Sequence, residues 1–274
     1  MTSTENEQAP ARRLLAPNPG LMTGPGTNTW LIGERDVIVV DPGPAMAPHI
    51  DAIIAQTGGS IAAILVTHTH RDHSPGAALL AERTGVTVYG MPPPDAPNHD
   101  TTFRPDITLA DGDLVQAGDN IVRAIHTPGH ASNHLCYLLE QHRWLFTGDH
   151  INHGSTVVIA PPDGDMLAYL TSLRNLQRME LAALAPGHGD VIYNAQESIA
   201  GLIAHRLRRE AKIIAALTAL PGSTVEGLVP EAYDDVPEQL HHVAAQSLLA
   251  HLNKLAAEKR AREMDGAWFP LKAR

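Results

Sequence analysis

The apolar positions of this chain fall into short runs separated by turn residues. Thr29-Trp30-Leu31-Ile32 and Val37-Ile38-Val39-Val40 read as two strands across the tight turn Gly33 to Asp36, with Asp41-Pro42-Gly43-Pro44 closing the hairpin. A helix is predicted near Pro48 to Gln56, stopped by Gly58-Gly59. Ile61 to Val66 is a continuous apolar run, as expected of a strand covered on both faces. Ser74 to Arg83 then reads as helix and Val86 to Tyr89 as strand, before a Pro-rich loop over Met91 to Pro105. Four further strand patterns follow at Leu114-Val115, Ile121 to His126, Leu135 to Leu139 and Trp144 to Phe146. Leu170, Leu173 and Leu176 mark one side of a helix from Asp165 to Arg178, and Leu181 to Ala185 is a last strand.

The pattern changes near Asn194. Ile199 to Leu220 is a long helix carrying Arg206, Arg208, Arg209 and Lys212, and Pro221-Gly222 ends it. Helices at Thr224 to Leu228 and His242 to Leu255 precede a hairpin turned at Asp265-Gly266, a layout of three helices and a wing. The expected organisation is an α/β core over residues 1–195, with 1–20 as a flexible lead-in, and a small winged-helix-like domain over 196–274.

Composition narrows the function. In 274 residues, 43% hydrophobic and 18% charged residues are ordinary for a globular protein, and a formal net charge of −10 disfavours a broad nucleic-acid platform. Cys136 is the single cysteine, so an intrachain disulfide is excluded and a buried core position is expected for it. No signal-peptide core or segment of membrane-spanning length is legible, so the expectation is a cytoplasmic protein without membrane contact. Sixteen histidines are the unusual feature.

Four metal-competent side chains crowd the end of the Ile61–Val66 strand, in His68-x-His70-x-Asp72-His73. His68 and His70 alternate on extended chain and can face one point, while Asp72 and His73 at a helix start can face a second. Three more strands end in Pro128-Gly129-His130, Thr147-Gly148-Asp149 and Pro186-Gly187-His188, each with a residue that lets the backbone pass close before the ligand type. Imidazole and carboxylate without thiolate suit zinc, and also manganese or iron. Around this set, His134, His150 and His205 are candidates for supporting the ligands or meeting substrate. His153 is expected to support the ligands or sit in a loop rather than bind metal, and His49 and His99 are expected to face solvent.

The order of these segments resembles the metallo-β-lactamase superfamily. Asn18-Pro19-Gly20, Gly26 to Leu31, His205-Arg206 with Arg209-Glu210, and the tail from Thr224-Val225 to Lys254-Leu255 resemble the beta-lactamase-like protein 2 family within it. The resemblance implies an αββα sandwich with a C-terminal winged helix. It also implies one divalent metal on His68, His70 and His130 and a second on Asp72, His73 and His188, with Asp149 bridging and zinc the favoured ion. Asp72 and Asp149 are then the catalytic carboxylates of a hydrolase that uses a metal-bridging hydroxide. The family's best-described members act on single-stranded RNA, and an arginine-rich helix beside a winged helix leans the same way. The alternative is a small-molecule thioester, lactone or β-lactam. Nothing in the repeat pattern fixes an oligomeric state.

Overall fold

The computed structural model describes residues 9–271. Strands β1 (Ala11–Leu15), β2 (Asn28–Ile32), β3 (Val37–Val40), β4 (Ile61–Leu65), β5 (Val88–Gly90) and β6 (Ile107–Thr108) form one sheet in chain order. The second sheet has the order β11-β10-β9-β8-β7, built from β7 (Leu114–Ala117), β8 (Asn120–His126), β9 (Leu135–Leu139), β10 (Trp144–Gly148) and β11 (Ala183–Pro186). Helices α1 (Ala47–Gln56) and α2 (Pro75–Thr84) cover the outer face of the first sheet, while α3 (Met166–Gln177) and the start of α4 (Ala195–Ala219) cover the second.

The apolar runs are continuous because both faces of these strands are buried. Trp30, Ile32, Ile38, Val40 and Leu65 point between the sheets and meet Val122, Leu135, Tyr137, Leu139 and Phe146. Their neighbours Leu31, Val37, Val39 and Ile64 point outward onto Ile50, Ile53 and Leu80 of α1 and α2. On the other side Cys136, Leu138 and Leu145 meet Leu170, Leu173 and Leu176 of α3. The period of two thus sorts each strand between two cores. Cys136 is buried as expected, and burial pushes its thiol up to about 12.

Helix α4 continues for 25 residues into a third core with α5 (Val225–Ala232), α6 (His241–Ala257) and the hairpin β12 (Ala261–Met264)–β13 (Ala267–Pro270). Ile199 belongs to the core under the second sheet and Ile213 to the third, so a single helix carries both. Among the described residues no helix is long and apolar enough to cross a membrane.

One expectation needs correction. Ala11 to Leu15, expected within a flexible lead-in, is the edge strand β1, pairing antiparallel with β2 from Ala11↔Ile32 to Leu15↔Asn28. Its sequence alternates only weakly, and the ladder to β2 supplies what its side chains do not. Residues 1–8 of that segment lie outside the described residues.

The two sheets are also joined by polar contacts near the end of β4. Tyr137, fully buried on β9, donates its hydroxyl to the Val66 carbonyl at 2.8 Å. Tyr137→Phe strands that carbonyl, so a loss of about 1–2 kcal/mol is expected. The check is a lower urea midpoint at an unchanged denaturant slope.

Candidate metal centre

Four strand ends converge at one edge of the sandwich: β4, followed by His68 to His73; β8, followed by His130; β10, followed by Asp149; and β11, followed by His188. The backbone approaches so closely there that two glycines are sterically required. A Cβ on Gly187 would sit 2.8 Å from Asp149 Oδ1 and from His73 Cε1, and one on Gly129, at φ 141°, would sit 2.4 Å from the backbone of Tyr169.

All seven sequence-predicted ligand residues come together here. Three groups have donor atoms within 4.8 Å of one another: His68, His70 and His130; His68, His73 and Asp149; and Asp72, His73 and His188. His70 Nδ1 lies 3.0 Å from His68 Nε2 and 3.0 Å from His130 Nε2. Asp149 turns Oδ2 toward His130 Nε2 at 3.6 Å and Oδ1 toward His188 Nε2 at 3.2 Å and His73 Nε2 at 3.5 Å. Asp72 Oδ2 stands 3.3 Å from both His73 Nε2 and His188 Nε2. Asp149 therefore spans a three-histidine cluster and a carboxylate-rich one.

The second ring nitrogens decide which atoms remain free. His73 Nδ1 donates to Asp41 Oδ2 at 2.9 Å, and His130 Nδ1 to the Val158 carbonyl at 2.7 Å. His188 Nδ1 donates to the Gly26 carbonyl at 3.1 Å. The Thr67 hydroxyl donates to Asp41 Oδ2 and so accepts from His68 Nδ1 at 3.0 Å. Each contact occupies Nδ1 and aims Nε2 inward, as the atom that can meet a metal once it carries no proton.

The donor set fits divalent metal ions. His68 Nε2 and His130 Nε2 both present lone pairs to His70 Nδ1, which has at most one proton to offer them. His73 Nε2 is buried and makes no hydrogen bond at all. Zinc–nitrogen bonds of about 2.0–2.1 Å at tetrahedral angles put ligand nitrogens roughly 3.3 Å apart, close to the spacing found.

The two clusters differ electrostatically. Burial, with its neighbour His130, lowers His70 to about 3, and burial also lowers His68 and His130. His188, though burial opposes it, is raised to about 10 by Asp149 and Asp72. His73 is raised as well, against burial, by Asp72, Asp149 and Asp41. Asp72 and Asp149 are held below the carboxylate range, because His73 and His188 outweigh the cost of burial.

Sequence reasoning missed the layer behind these ligands. Asp41, which reads as a hairpin closure, accepts from Thr67 N, Thr67 Oγ1 and His73 Nδ1. Asn152 donates to Asp149 Oδ1 at 3.2 Å and accepts from His188 N at 3.1 Å, and Thr27 Oγ1 donates to Asp72 Oδ2 at 3.1 Å. His99, expected in solvent, is buried between Thr69 Oγ1 at 2.7 Å and Asp163 Oδ2 at 3.1 Å, with its ring 4.7 Å from that of His70. His49, also expected in solvent, is buried against Thr29 Oγ1 at 2.8 Å. Neither could be located from sequence because each partner is at least 20 residues away. Of the other candidates, His134 is fully buried and stacks behind His68 at 5.0 Å, and His150 is fully buried beside Tyr169. His153 is exposed, and half-buried His205 lines the cleft above the ligands.

That cleft encloses about 690 Å³. Its floor is His70, His130, Asp149 and His188, and its walls come from the 21–22 loop tip and from Tyr233, Val236, Leu240 and Val243 of the C-terminal unit. Two of the cations of α4 turn inward. Arg206 is 3% exposed and Arg209 8%, Arg209 is paired with Asp235, and Lys212 is paired with Asp234.

Residues 22–188 match the Metallo-beta-lactamase superfamily, and residues 224–268 match the Beta-lactamase associated winged helix domain. This chain belongs to the metallo-beta-lactamase superfamily. It is a hydrolase of that family with an αββα core and a winged helix, and the superfamily implies divalent metal ions. Among similar proteins, an "Atrochrysone carboxyl ACP thioesterase" of Aspergillus chevalieri is 35% identical, over 94% of this chain and 85% of that one. The "Beta-lactamase-like protein 2 homolog" of Drosophila melanogaster is 32% identical, over 91% of this chain and 89% of that one. A metallo-beta-lactamase family protein from Thermus thermophilus shares the fold with a TM-score of 0.80 at 20% identity, covering 96% of this chain and 99% of that one.

Metal loading should release protons unequally. Near pH 7 the imidazoles of His68, His70 and His130 are already neutral, whereas those of His73 and His188 still hold protons that a metal must displace. Raising the pH toward the His188 value of about 10 removes that competition, so affinity at the carboxylate-rich cluster should rise with pH while the three-histidine cluster changes little. Calorimetric titration of apo-protein in buffers of different ionisation enthalpy measures this. Equal proton release for both metals would contradict it.

Proposed function

We propose that this protein is a dinuclear metal-dependent hydrolase of an acyl thioester on a small, largely apolar molecule. Residues 1–195 carry the reaction and 196–274 shape the cleft. His68, His70 and His130 would hold one divalent ion, and Asp72, His73 and His188 the other, with Asp149 between them and zinc the favoured metal. When bound, such a pair activates water and polarises a carbonyl oxygen. The chain's own part is orientation. Asp41, Gly26 and Val158 fix the imidazoles, and Thr27 and Asn152 fix the two carboxylates. Asp149 and Asp72, kept ionised by His73 and His188, are the groups placed to offer carboxylate oxygens at the reacting centre.

The observation that carries the substrate class is the wall above that floor. Leu21 and Met22 are 74% and 59% exposed, and with Tyr233, Val236, Leu240 and Val243 they give the cleft an apolar wall. Such a surface gains by covering an apolar body. The thioesterase names among relatives of 35% identity agree with it. A single-stranded RNA substrate needs exposed cations and stacking platforms along its path. With Arg206 and Arg209 buried and Lys212 paired, the α4 face that favoured RNA has Arg208 as its exposed, unpaired cation among the described residues.

Metal-loaded protein assayed on a hydrophobic acyl N-acetylcysteamine thioester, a β-lactam and single-stranded RNA separates the readings. The thioester should be turned over best. The double substitution His68→Ala/His70→Ala should cost about a thousandfold or more in kcat, at least the roughly 4 kcal/mol of removing one strong electrostatic stabiliser. RNA cleavage that disappears in the same variant, with no thioester turnover, would overturn the proposal.

A further inference from the structure

Among the described residues of the cleft, Arg206 is a buried cation with no carboxylate partner. It lines the same cleft as His70, His130 and Asp149 and is 3% exposed. Among the described residues no carboxylate lies within salt-bridge distance of it, and its buried Nε makes no hydrogen bond. Its one hydrogen-bond acceptor is the carbonyl of Val157, and the face of Tyr169 lies 5.2 Å from its guanidinium carbon.

The neighbouring charges do not neutralise it. Arg209, one turn along α4, is forked onto both oxygens of Asp235 at 2.8 and 3.0 Å and accounts for that carboxylate. Glu210, four residues on from Arg206, gives one oxygen to Lys254 at 2.7 Å and the other to Arg260 at 3.0 Å. His205 and His251 bring no negative charge. Arg71, a third arginine on this cleft, is exposed, so water solvates it. Arg206 is thus a desolvated positive charge with five N–H donors and one protein acceptor. Burying such a charge without a counter-ion is strongly unfavourable, and the remaining donors have the planar geometry that suits a carboxylate or phosphate.

Arg206 and a candidate metal ligand also hold the same loop. His130 anchors on the Val158 carbonyl and Arg206 on that of Val157. Successive α-carbons are about 3.8 Å apart, so a single extended loop ties the guanidinium to a candidate ligand. We propose that Arg206 is a specificity-determining residue that binds an anionic oxygen group of the substrate within the cleft. This rests on the thioester reading above. The anion has two possible sources with one chemistry: a carboxylate on the acyl side, or a phosphate on the thiol side.

Four metal-loaded assays distinguish them, using N-acetylcysteamine thioesters of butyrate and of succinate, and butyryl thioesters of pantetheine and of 4′-phosphopantetheine. The wild type should prefer the anionic member of one pair by about tenfold or more in kcat/KM, expressed mainly in KM, as a charge-assisted contact requires. The preferred pair names the source. Arg206→Gln should bring that ratio to about one while neutral thioesters are still hydrolysed, and Arg206→Lys should restore part of it. Metal content and thermal midpoint of each variant are measured alongside. If Arg206→Gln slows all four substrates alike, Arg206 is only a clamp on Val157 and Tyr169 and the inference fails. It fails equally if the wild type ignores charge, or if Arg71→Gln rather than Arg206→Gln removes the preference. A wild type inert toward all four thioesters defeats the thioester reading itself, and this inference with it.

Discussion

The buried carboxylate of Asp41 is the contact on which the centre turns. It stands just past β3, 1% exposed, and takes a backbone N–H and a hydroxyl from Thr67 and a ring N–H from His73. A carboxylate removed from water needs such donors to offset the loss of hydration. By accepting them it fixes the strand exit at Thr67, the tautomer of His73 and, through the Thr67 hydroxyl, the ring of His68. The second sheet meets the same spot, because Leu135 N donates to the Thr67 carbonyl at 2.7 Å. Both layers of the sandwich are therefore registered on one residue, immediately before the first ligand.

From that anchor the rest of the centre follows from strand ends. A parallel neighbour brings β11 beside β10, so Asp149 and His188 emerge side by side, and the antiparallel run β8–β9–β10 returns His130 to the same edge. The crowding is tolerated where glycine removes a side chain, as at Gly187. Seven polar side chains held this closely repel or leave lone pairs opposed unless cations fill the space between them. The division into neutral histidines on one side and proton-holding histidines on the other expresses the same demand.

Those seven residues are legible in sequence because ligand types recur at fixed offsets from apolar runs, and runs buried on both faces are hard to mistake. What stays hidden depends on contacts between distant segments. Asp41 looks like turn chemistry, since nothing local reveals that His73 lies 32 residues away across a hydrogen bond. His49 and His99 sit among polar and Pro-rich neighbours, which suggests exposure, yet both are buried by partners that arrive from other elements. β1 is invisible for the opposite reason, because an edge strand can rely on its neighbour's ladder rather than its own alternation. The charged face of α4 reads as solvated because helix periodicity gives a direction but not what packs against it. Here it faces Tyr169, Val157 and Asp235.

That inward face links reaction and selectivity. The sandwich alone offers a floor of metal-competent side chains at an open strand-end edge. Helix α4 belongs to both cores, and it holds the α5–α6 unit so that Tyr233, Leu240 and Val243 stand over that floor. The 154–160 segment is gripped from both sides, by His130 at Val158 and by Arg206 at Val157. A shift of the C-terminal unit would therefore be felt at His130, a candidate ligand, within one residue of chain. On the function proposed above, discrimination between substrates falls to the added unit and the chemistry to the sandwich, with α4 the element shared by both cores.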